Sequence, residues 1–413
     1  MRKVRSLHPL FTVHRRKIKR VCGFVAGDVR AGRVGGRLFG RGGTLLPVAF
    51  VRAVSIILTP LKVTSLPAHP SPAPLPFPAP ALSAPVLLTS SVRLLLLACA
   101  LGCLFSCGEI SEGKTLRLAH GLDVSHPVHG GMVRMGEVLD SISDGQLRLK
   151  IYSGGQLGTE SQNLELLQLG SLAMTKVSAA VMERFAPAYS VLSLPYLFED
   201  RETSFRVLDG PVGQELLAQG AAARLRGLTF FDAGTRSFYT KSAPVRTPAD
   251  VVGKKVRVQN SPMAVDLIKS LGGSPTPISY GELYTALQQG VVDAAENNLP
   301  SYYTSRHYEV TPYYSYDRHT AVPDVLVIGT ATWEKLSGQE RDWLAVAARS
   351  ATTFQRESWQ AAEEEAVREL TKAGVTFTEV DAAAFRAAVE QMYTAARQDP
   401  DLAPILERIL TAQ

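Results

Sequence analysis

The spacing of apolar and polar residues predicts a repeating series of strands and helices from residue 116 onwards. Apolar residues in strand-like patterns indicate strands at 116–120, 147–151, 172–177, 229–233, 255–258, 274–277 and 375–379. Helical periodicity with start and stop signals indicates helices at 126–143, 159–170, 211–225, 261–270, 281–289, 381–397 and 402–410. Strands that alternate with helices are typical of an α/β fold whose sheets are covered on both faces.

One predicted helix is much longer than the others. Residues 339–370, with Trp343, Phe354 and Trp359, fit a single helix of about 32 residues, which would be roughly 48 Å long. That length exceeds one small lobe. We therefore expect this helix to run along two lobes.

The first 108 residues differ from the rest of the chain in charge. They contain fifteen of the 44 basic residues and one of the 38 acidic residues, which gives net charges of +14 up to Gly108 and −8 after it. The overall charge of +6 therefore describes no single folded unit. An acidic folded part gives no support for nucleic acid as a partner.

The apolar run at 94–105 resembles a bacterial export signal. It follows Arg93 and is too short for a transmembrane helix, which needs about 20 apolar residues. We assign residues 86–107 to an export signal whose last residue, Cys107, fits a lipidation site; Cys103 is a second candidate, and an ordinary cleaved signal is the alternative. Residues 1–85, which include a proline-rich run, are interpreted as a mis-assigned start or a disordered extension.

The usual signatures of enzymes and metal sites are missing from the sequence after Cys107. All four cysteines precede Gly108, and no phosphate-binding loop, nucleophile elbow or His-x-x-x-His pair follows. We therefore predict no catalytic residue, no cofactor and no metal.

Polar residues do occur at the ends of the predicted strands, where α/β sheets bind ligands. They are Lys176, Arg236, Arg257, Glu296, Asn297 and Asn298. Arg257 precedes a predicted helix start at Ser261-Pro262, a position that favours anions. Spacing alone leaves a solvated arginine or a structural ion pair as the alternative.

A series of motifs in the same order and spacing resembles the DctP-type solute-binding proteins of TRAP (tripartite ATP-independent periplasmic) transporters. The resemblance covers nearly all of residues 115–397. It is carried by His126-Pro127, Gly155-Gln156-Leu157-Gly158, Leu194-Pro195-Tyr196-Leu197-Phe198, Gly234-Thr235-Arg236, Lys254-Lys255-Val256-Arg257, Glu282-Leu283-Tyr284, Glu296-Asn297 and Trp333-Glu334-Lys335-Leu336.

The resemblance implies a two-lobed periplasmic-binding-protein-like fold with a hinge. Lobe I would comprise 114–233 and 323–362, and lobe II would comprise 234–322 and 363–413. Such a protein closes on a small organic acid and delivers it to membrane permease subunits. We expect a periplasmic monomer that contacts the membrane only through a possible lipid anchor.

The resemblance also assigns roles to residues. Arg257 would bind the ligand carboxylate through two parallel hydrogen bonds, supported by Arg236 and Asn297. Other contacts are predicted for Tyr280, Asn260, Lys176, Asn298, His120, His126 and Asp324. No glutamate lies at 176–179, which argues against sialic acid, and several segments are similar to the branch that binds sugar acids such as glucuronate and galacturonate.

Two other functions remain open at this point. One is an exported lyase or esterase that acts on sugar acids, with Glu282 or Glu296 and His319 as acid and base. The other is a binding protein that serves a sensor kinase rather than a transporter.

Overall fold

The computed structural model describes residues 113–413, so the predicted export signal and Cys107 lie outside the described residues. Its first sheet has the strand order β2-β1-β3-β10-β4. The strands are β1 (Lys114–Ala119), β2 (Leu147–Tyr152), β3 (Met174–Ser178), β4 (Leu225–Phe231) and β10 (Asp324–Gly329). β1 pairs in parallel with β2 and β3, whereas β10 runs antiparallel to both β3 and β4.

The second sheet has the order β11-β9-β5-β8-β6-β7. Its strands are β5 (Arg236–Thr240), β6 (Lys255–Val258), β7 (Ser274–Pro277), β8 (Ala294–Asn297), β9 (Tyr313–Thr320) and β11 (Thr376–Glu379). β6 is parallel to β7 and β8, and β5 is antiparallel to β8 and β9. Two sheets in one chain confirm the predicted two-lobed α/β fold.

Two short segments cross between the sheets. Residues 232–235 join β4 to β5, and residues 321–323 join β9 to β10. Because each crossing strand enters its new sheet antiparallel to its neighbour, the amino ends of β5 and β10 lie beside the carboxyl ends of parallel strands. Asp324 thus pairs with Ser178, and Ser237 pairs with Asn297.

The helices cover the sheets, and seven of the twelve described begin at a residue whose side chain caps the helix. They are α1 (Pro127–Ile142), α2 (Glu160–Gln168), α3 (Ala179–Met182), α4 (Arg201–Asp209), α5 (Pro211–Ala218), α6 (Pro262–Ser270), α7 (Leu283–Gln289), α8 (Leu299–Thr304), α9 (Thr330–Lys335), α10 (Gly338–Lys372), α11 (Ala382–Gln398) and α12 (Ala403–Thr411). Thr159 forms the capping box of α2 with Gln162, as its Thr-x-x-Gln spacing predicts.

The long helix α10 has 35 residues, which corresponds to about 52 Å. It begins at Ser337 in a capping box with Glu340. It packs against α1 and β4 of the first lobe and against α8 of the second. The prediction of a helix that runs along both lobes is therefore confirmed.

All strands of each sheet fall within the residue ranges expected for one lobe. The last helices divide differently. α11 packs against α6 and β9 of the second lobe, whereas α12 also packs against α5 and the 3-10 helix Pro187–Ser193 of the first. Residues 363–413, expected to belong to lobe II alone, thus contact both lobes.

The apolar core has a separate part in each lobe and a part that both lobes share. Met132 and Trp359 belong to the core of the first lobe, and Tyr302 belongs to that of the second. The shared part contains Val191 from the first lobe and Ile268 from the second. The lobes are therefore joined by packed side chains along one side. Among residues 113–413, no helix is long and apolar enough to cross a bilayer.

Candidate ligand-binding site

A cavity of about 510 Å³ lies between the lobes, where the strand ends of both sheets meet. The residues that line it include most of the predicted ligand contacts. These are Lys176, Arg236, Arg257, Asn260, Tyr280, Asn297, Asn298 and Asp324. The antiparallel entry of β5 and β10 explains why Arg236 and Asp324, at the amino ends of their strands, reach the same cavity as Asn297 at a carboxyl end.

Arg257 is buried, and its guanidinium is only partly used by the protein. Its side chain is on β6, and Nε donates to the carbonyl of Ile278 at 2.8 Å. Nη1 is buried and has no hydrogen-bond partner among the described residues. Burial lowers the pKa of Arg257, which reflects the cost of holding an uncompensated cation away from water. An anion in the cavity would supply the missing partner.

In Arg236, by contrast, each guanidinium nitrogen donates at least one hydrogen bond to another protein group. Nε and Nη2 donate to the two carboxylate oxygens of Glu296 at 2.5 and 2.9 Å, and Nη2 also donates to the Glu296 carbonyl at 2.8 Å. Nη1 donates to Asn297 Oδ1 at 2.8 Å. The same Oδ1 accepts from the Asn298 amide, so the side-chain NH2 of Asn297 remains available as a donor.

A second layer of charge lies behind Arg236. His319 Nδ1 lies 2.7 Å from Asp317 Oδ2, and His319 Nε2 lies 3.4 Å from Glu296 Oε2, which is close enough for an ion pair. All three side chains are buried. Although burial opposes the charged form, the two carboxylates raise the pKa of His319 to about 9, so its imidazolium balances them.

Lys176 is buried between two carboxylates. Its ammonium contacts Glu160 Oε1 at 3.0 Å and Asp324 Oδ1 at 3.1 Å. Burial and the nearby Glu160 raise the pKa of Asp324 to about 6, although Lys176 opposes this shift. This group therefore holds two carboxylates and one ammonium at the first-lobe side of the cavity.

Tyr280 and Asn260 contribute from the second lobe. The hydroxyl of Tyr280 hydrogen-bonds to Ser305, so its ring rather than its hydroxyl is left for the cavity. Asn260 accepts from Arg184 at 3.0 Å and donates to Ser161 at 3.4 Å. Since Arg184 and Ser161 belong to the first lobe, Asn260 bridges the cleft.

Asn298 lines the cavity, but its polar atoms support the fold. Oδ1 accepts from the amide of Ser301 at the start of α8, and Nδ2 donates to the carbonyl of Ala233 in a crossing segment, both at 2.8 Å. Asn298 therefore caps a helix and ties it to the hinge.

His120 and His126, which were predicted as ligand contacts, are not among the residues that line the cavity, and their ring nitrogens contact other groups of the protein. His120 accepts from the Leu122 amide at 3.2 Å and contacts His129 at 3.0 Å. His126 caps α1 and contacts Ser301 across the lobes at 3.1 Å. Burial lowers the pKa of both histidines, to about 3 for His120, which keeps them neutral.

Sequence reasoning missed Glu160 as a cavity residue. Glu160 lies in the first turn of α2, between Thr159 and Gln162 of the capping box, and an acid at that position is common in helices without any binding role. In the structure its carboxylate reaches Lys176 and accepts from the Ser178 amide at 3.3 Å. The pairing of Lys176 with an acid was not visible in the sequence because the two residues lie on different elements.

A second cavity, of about 360 Å³, is lined by the other face of the crossing segments. Three of its four arginines are already paired: Arg201 with Asp232, Arg318 with Glu379 at 3.0 Å and Arg356 with Asp209 at 2.6 Å. The fourth, Arg386, is exposed and lies over the ring of Tyr196, whereas Arg257 is buried. The cavity that contains Arg257 is therefore the better candidate for binding an anion. No cluster of His, Cys, Asp and Glu suited to a metal occurs within residues 113–413.

Two lobes, two crossing segments and a cleft lined by a buried arginine that has no carboxylate partner among residues 113–413 are the features expected of a solute-binding protein. The sequence model for "Bacterial extracellular solute-binding protein, family 7" (DctP) matches residues 118–399, so the chain belongs to this family. Its members are periplasmic solute-binding proteins of TRAP transporters and work with membrane components. The predicted family is thereby confirmed.

Several relatives are similar over most of their length. A solute-binding protein of Chromohalobacter salexigens is 36% identical, covering 69% of this chain and 88% of the relative. The crystal structure of a TRAP protein from Xanthobacter autotrophicus with bound β-D-galacturonate is 36% identical, with a TM-score of 0.70 over 72% of this chain and 100% of that one. Another from Chromohalobacter salexigens with bound D-glucuronate is 34% identical, with the same TM-score and coverage.

Proposed function

We propose that this protein captures a sugar acid, with hexuronates such as glucuronate and galacturonate as the best candidates, and delivers it to TRAP membrane subunits. The observation that carries this proposal is that buried Arg257 lines a cavity rich in polar groups and that its Nη1 has no hydrogen-bond partner among residues 113–413. The galacturonate and glucuronate found in the related structures support the same ligand class.

The guanidinium of Arg257 suits a carboxylate because its planar donors match the two oxygens. A charge-assisted hydrogen bond contributes about 1.5–3 kcal/mol, whereas micromolar binding requires about 8 kcal/mol. The remaining affinity must come from contacts with the hydroxyls and the ring. Asn297, Lys176 and the ring of Tyr280 are available for this purpose.

We also propose that the protein is not an enzyme. The suggested acid and base, Glu296 and His319, are not among the cavity-lining residues; Glu296 is held by Arg236, and His319 is held by Asp317. Glu282 lines the cavity but bonds to Ser279. Recovery of unchanged glucuronate after long incubation would agree with this proposal, and a new product would contradict it.

A thermal-shift screen against uronates, aldonates, C4-dicarboxylates and 2-oxo acids tests the ligand class. A ligand at 100 times its Kd stabilises the folded form by about 2.7 kcal/mol, which is readily measured. We expect uronates or aldonates to raise the Tm most. A response to C4-dicarboxylates or 2-oxo acids alone would overturn the proposed class.

We further propose that the protein is exported and anchored through a lipid on Cys107. This residue follows the apolar run 94–105 and lies outside the described residues. Mass spectrometry of the protein purified from membranes would detect a diacylglyceryl group on Cys107. A mature protein that begins elsewhere, without lipid, would contradict the anchor and leave ligand capture unaffected.

A further inference from the structure

The two sides of the cavity differ in charge. The second lobe contributes Arg257, whose cation has no carboxylate partner among residues 113–413. The first lobe contributes the acidic triad, which we define as Glu160, Lys176 and Asp324. In this triad a single ammonium is shared by two carboxylates at 3.0 and 3.1 Å.

The acidic triad is held in a fixed arrangement by burial and hydrogen bonds. The side chain of Lys176 is 3% exposed and that of Asp324 is 10% exposed. Glu160 is fixed by the Ser178 amide as well as by Lys176. All three residues line the same cavity as Arg257. A ligand held by Arg257 in this cavity would therefore share it with fixed carboxylates.

We propose that the acidic triad makes this site selective for acids with a single carboxylate and a polyhydroxyl tail, and that it excludes the corresponding diacids. The proposal rests on the proposed function, in which Arg257 holds the ligand carboxylate. Hydroxyl groups suit the triad because carboxylate oxygens accept hydrogen bonds from them and Lys176 has one further N–H to donate.

A second carboxylate on the ligand would be repelled at the acidic triad. It would be buried beside Glu160 and Asp324, and three carboxylates would then share one ammonium. Arg236, the other cavity-lining arginine, cannot compensate because Glu296 already holds it at two oxygens. Like charges brought together at a binding site disfavour the wrong ligand strongly, which is a common source of specificity.

The matched ligands for a test are D-galactonate and galactarate, which share one open carbon chain and differ in a terminal hydroxymethyl or carboxylate group. Isothermal titration at neutral pH should give a Kd for galactarate at least roughly 100-fold above that for galactonate.

Variants of the triad separate charge from shape. In Glu160→Gln the preference for the monoacid should fall at least about tenfold, because one repulsive charge is removed while the shape is kept. Asp324→Asn should act in the same direction and serves if Glu160→Gln fails to fold. Glu165→Gln is the control, since Glu165 is an exposed residue on the same helix α2.

The outcomes are distinct. Diacids that bind the wild type as tightly as monoacids, or an unchanged preference in both folded triad variants, would overturn the selectivity proposal and leave sugar-acid binding intact. If no monoacid binds and the triad variants bind none either, the proposed function itself fails. A change in Glu165→Gln equal to that in Glu160→Gln would also contradict a role for the triad.

Discussion

At the scale of single residues, two neighbouring arginines show how surroundings decide function. Arg236 and Arg257 are both buried and both line the cavity. Glu296 neutralises Arg236 with two hydrogen bonds, whereas within residues 113–413 the Arg257 side chain is held only by the Ile278 carbonyl. A buried cation with unused donors costs free energy until a counter-ion arrives. Under the proposed function, Arg257 is therefore the arginine that would meet the ligand, whereas Arg236 is held within the protein.

Replacement of Arg257 should remove ligand binding. In Arg257→Ala no thermal shift by a uronate or aldonate is expected, and in Arg257→Lys the affinity should fall at least about tenfold, because an ammonium cannot form two parallel bonds to a carboxylate. Arg134→Ala, at an exposed arginine of α1, is the control. A normal shift in folded Arg257→Ala would contradict the proposed carboxylate contact.

The sequence allows a residue to be placed where a motif fixes its position, but not where a contact depends on the third dimension. Arg257, Asn297 and Lys176 follow from strand ends and motifs, and in the structure they line the cavity. His120 and His126 instead satisfy backbone amides and neighbouring side chains. Nothing in their spacing distinguishes a polar group that faces a ligand from one that faces a helix end.

The buried imidazolium of His319 makes stability depend on pH. Its pKa is raised to about 9, so its contribution is fully present below its unfolded value of about 6.5 and is lost as the pH rises towards 9. The loss should amount to roughly 3 kcal/mol of unfolding free energy. His319→Gln should be less stable at pH 6 and should lack this loss.

Urea denaturation of both proteins across this pH range checks the prediction. The difference between the two unfolding free energies cancels groups that titrate identically in both, such as the neutral His120. Parallel curves for wild type and His319→Gln would mean that His319 is not charged in the folded protein.

At the scale of secondary-structure elements, the sequence predicts most strands and helices better than β9 and β10, the two strands that flank the crossing segment 321–323. β10 is buried along its whole length, so its residues do not alternate between apolar and polar. β9 contains tyrosines together with Asp317, Arg318 and His319, so it lacks the apolar residues by which a strand is usually predicted. Both strands are paired on two sides, and this pairing compensates for their weak local signal.

The crossing segment 232–235 depends on glycine at position 234. Gly234 has a φ of +56°, and a Cβ there would lie 2.8 Å from Glu363 Oε1 and 2.9 Å from Trp359 Nε1 of α10. Gly234→Ala should lower the unfolding free energy by at least about 1 kcal/mol, since the left-handed conformation alone costs that much.

Gly338→Ala is the matched control for this substitution in urea denaturation. Gly338 is the first residue of α10, and a Cβ there would meet no atom within 4 Å. Alanine favours helix over glycine, so the control should be unchanged or slightly more stable. Equal effects at both positions would show that the crossing segment can move away from α10.

At the scale of the whole molecule, the sequence predicts two lobes and a helix along both, but not how the lobes meet. The acidic character after Gly108 and the motif order suffice for the class of protein. The contacts across the cleft depend on the relative position of two sheets, which no local pattern encodes. Asn260 was expected to contact the ligand, and the structure adds its bonds to Arg184 and Ser161 of the other lobe.

These bonds predict that Asn260 stabilises the closed form of the protein. This effect can be distinguished experimentally from a direct contact between Asn260 and the ligand. Arg184 is exposed and is not among the cavity-lining residues, yet it donates to Asn260 at 3.0 Å. If the bond stabilises the closed form, both Asn260→Ala and Arg184→Ala should speed ligand release, because a net contribution of about 0.5–1.5 kcal/mol corresponds to roughly two- to tenfold. Stopped-flow measurement of dissociation provides the rates.

Comparing Asn260→Ala with Arg184→Ala shows whether Asn260 stabilises the closed form or contacts the ligand directly. Faster release in both, with little change in association, assigns the effect to the closed state, since a ligand held by two lobes leaves only after they separate. Faster release in Asn260→Ala alone would make Asn260 a direct ligand contact. Because Arg184 lies outside the cavity, its variant alters closure without altering the surface that the sugar acid meets.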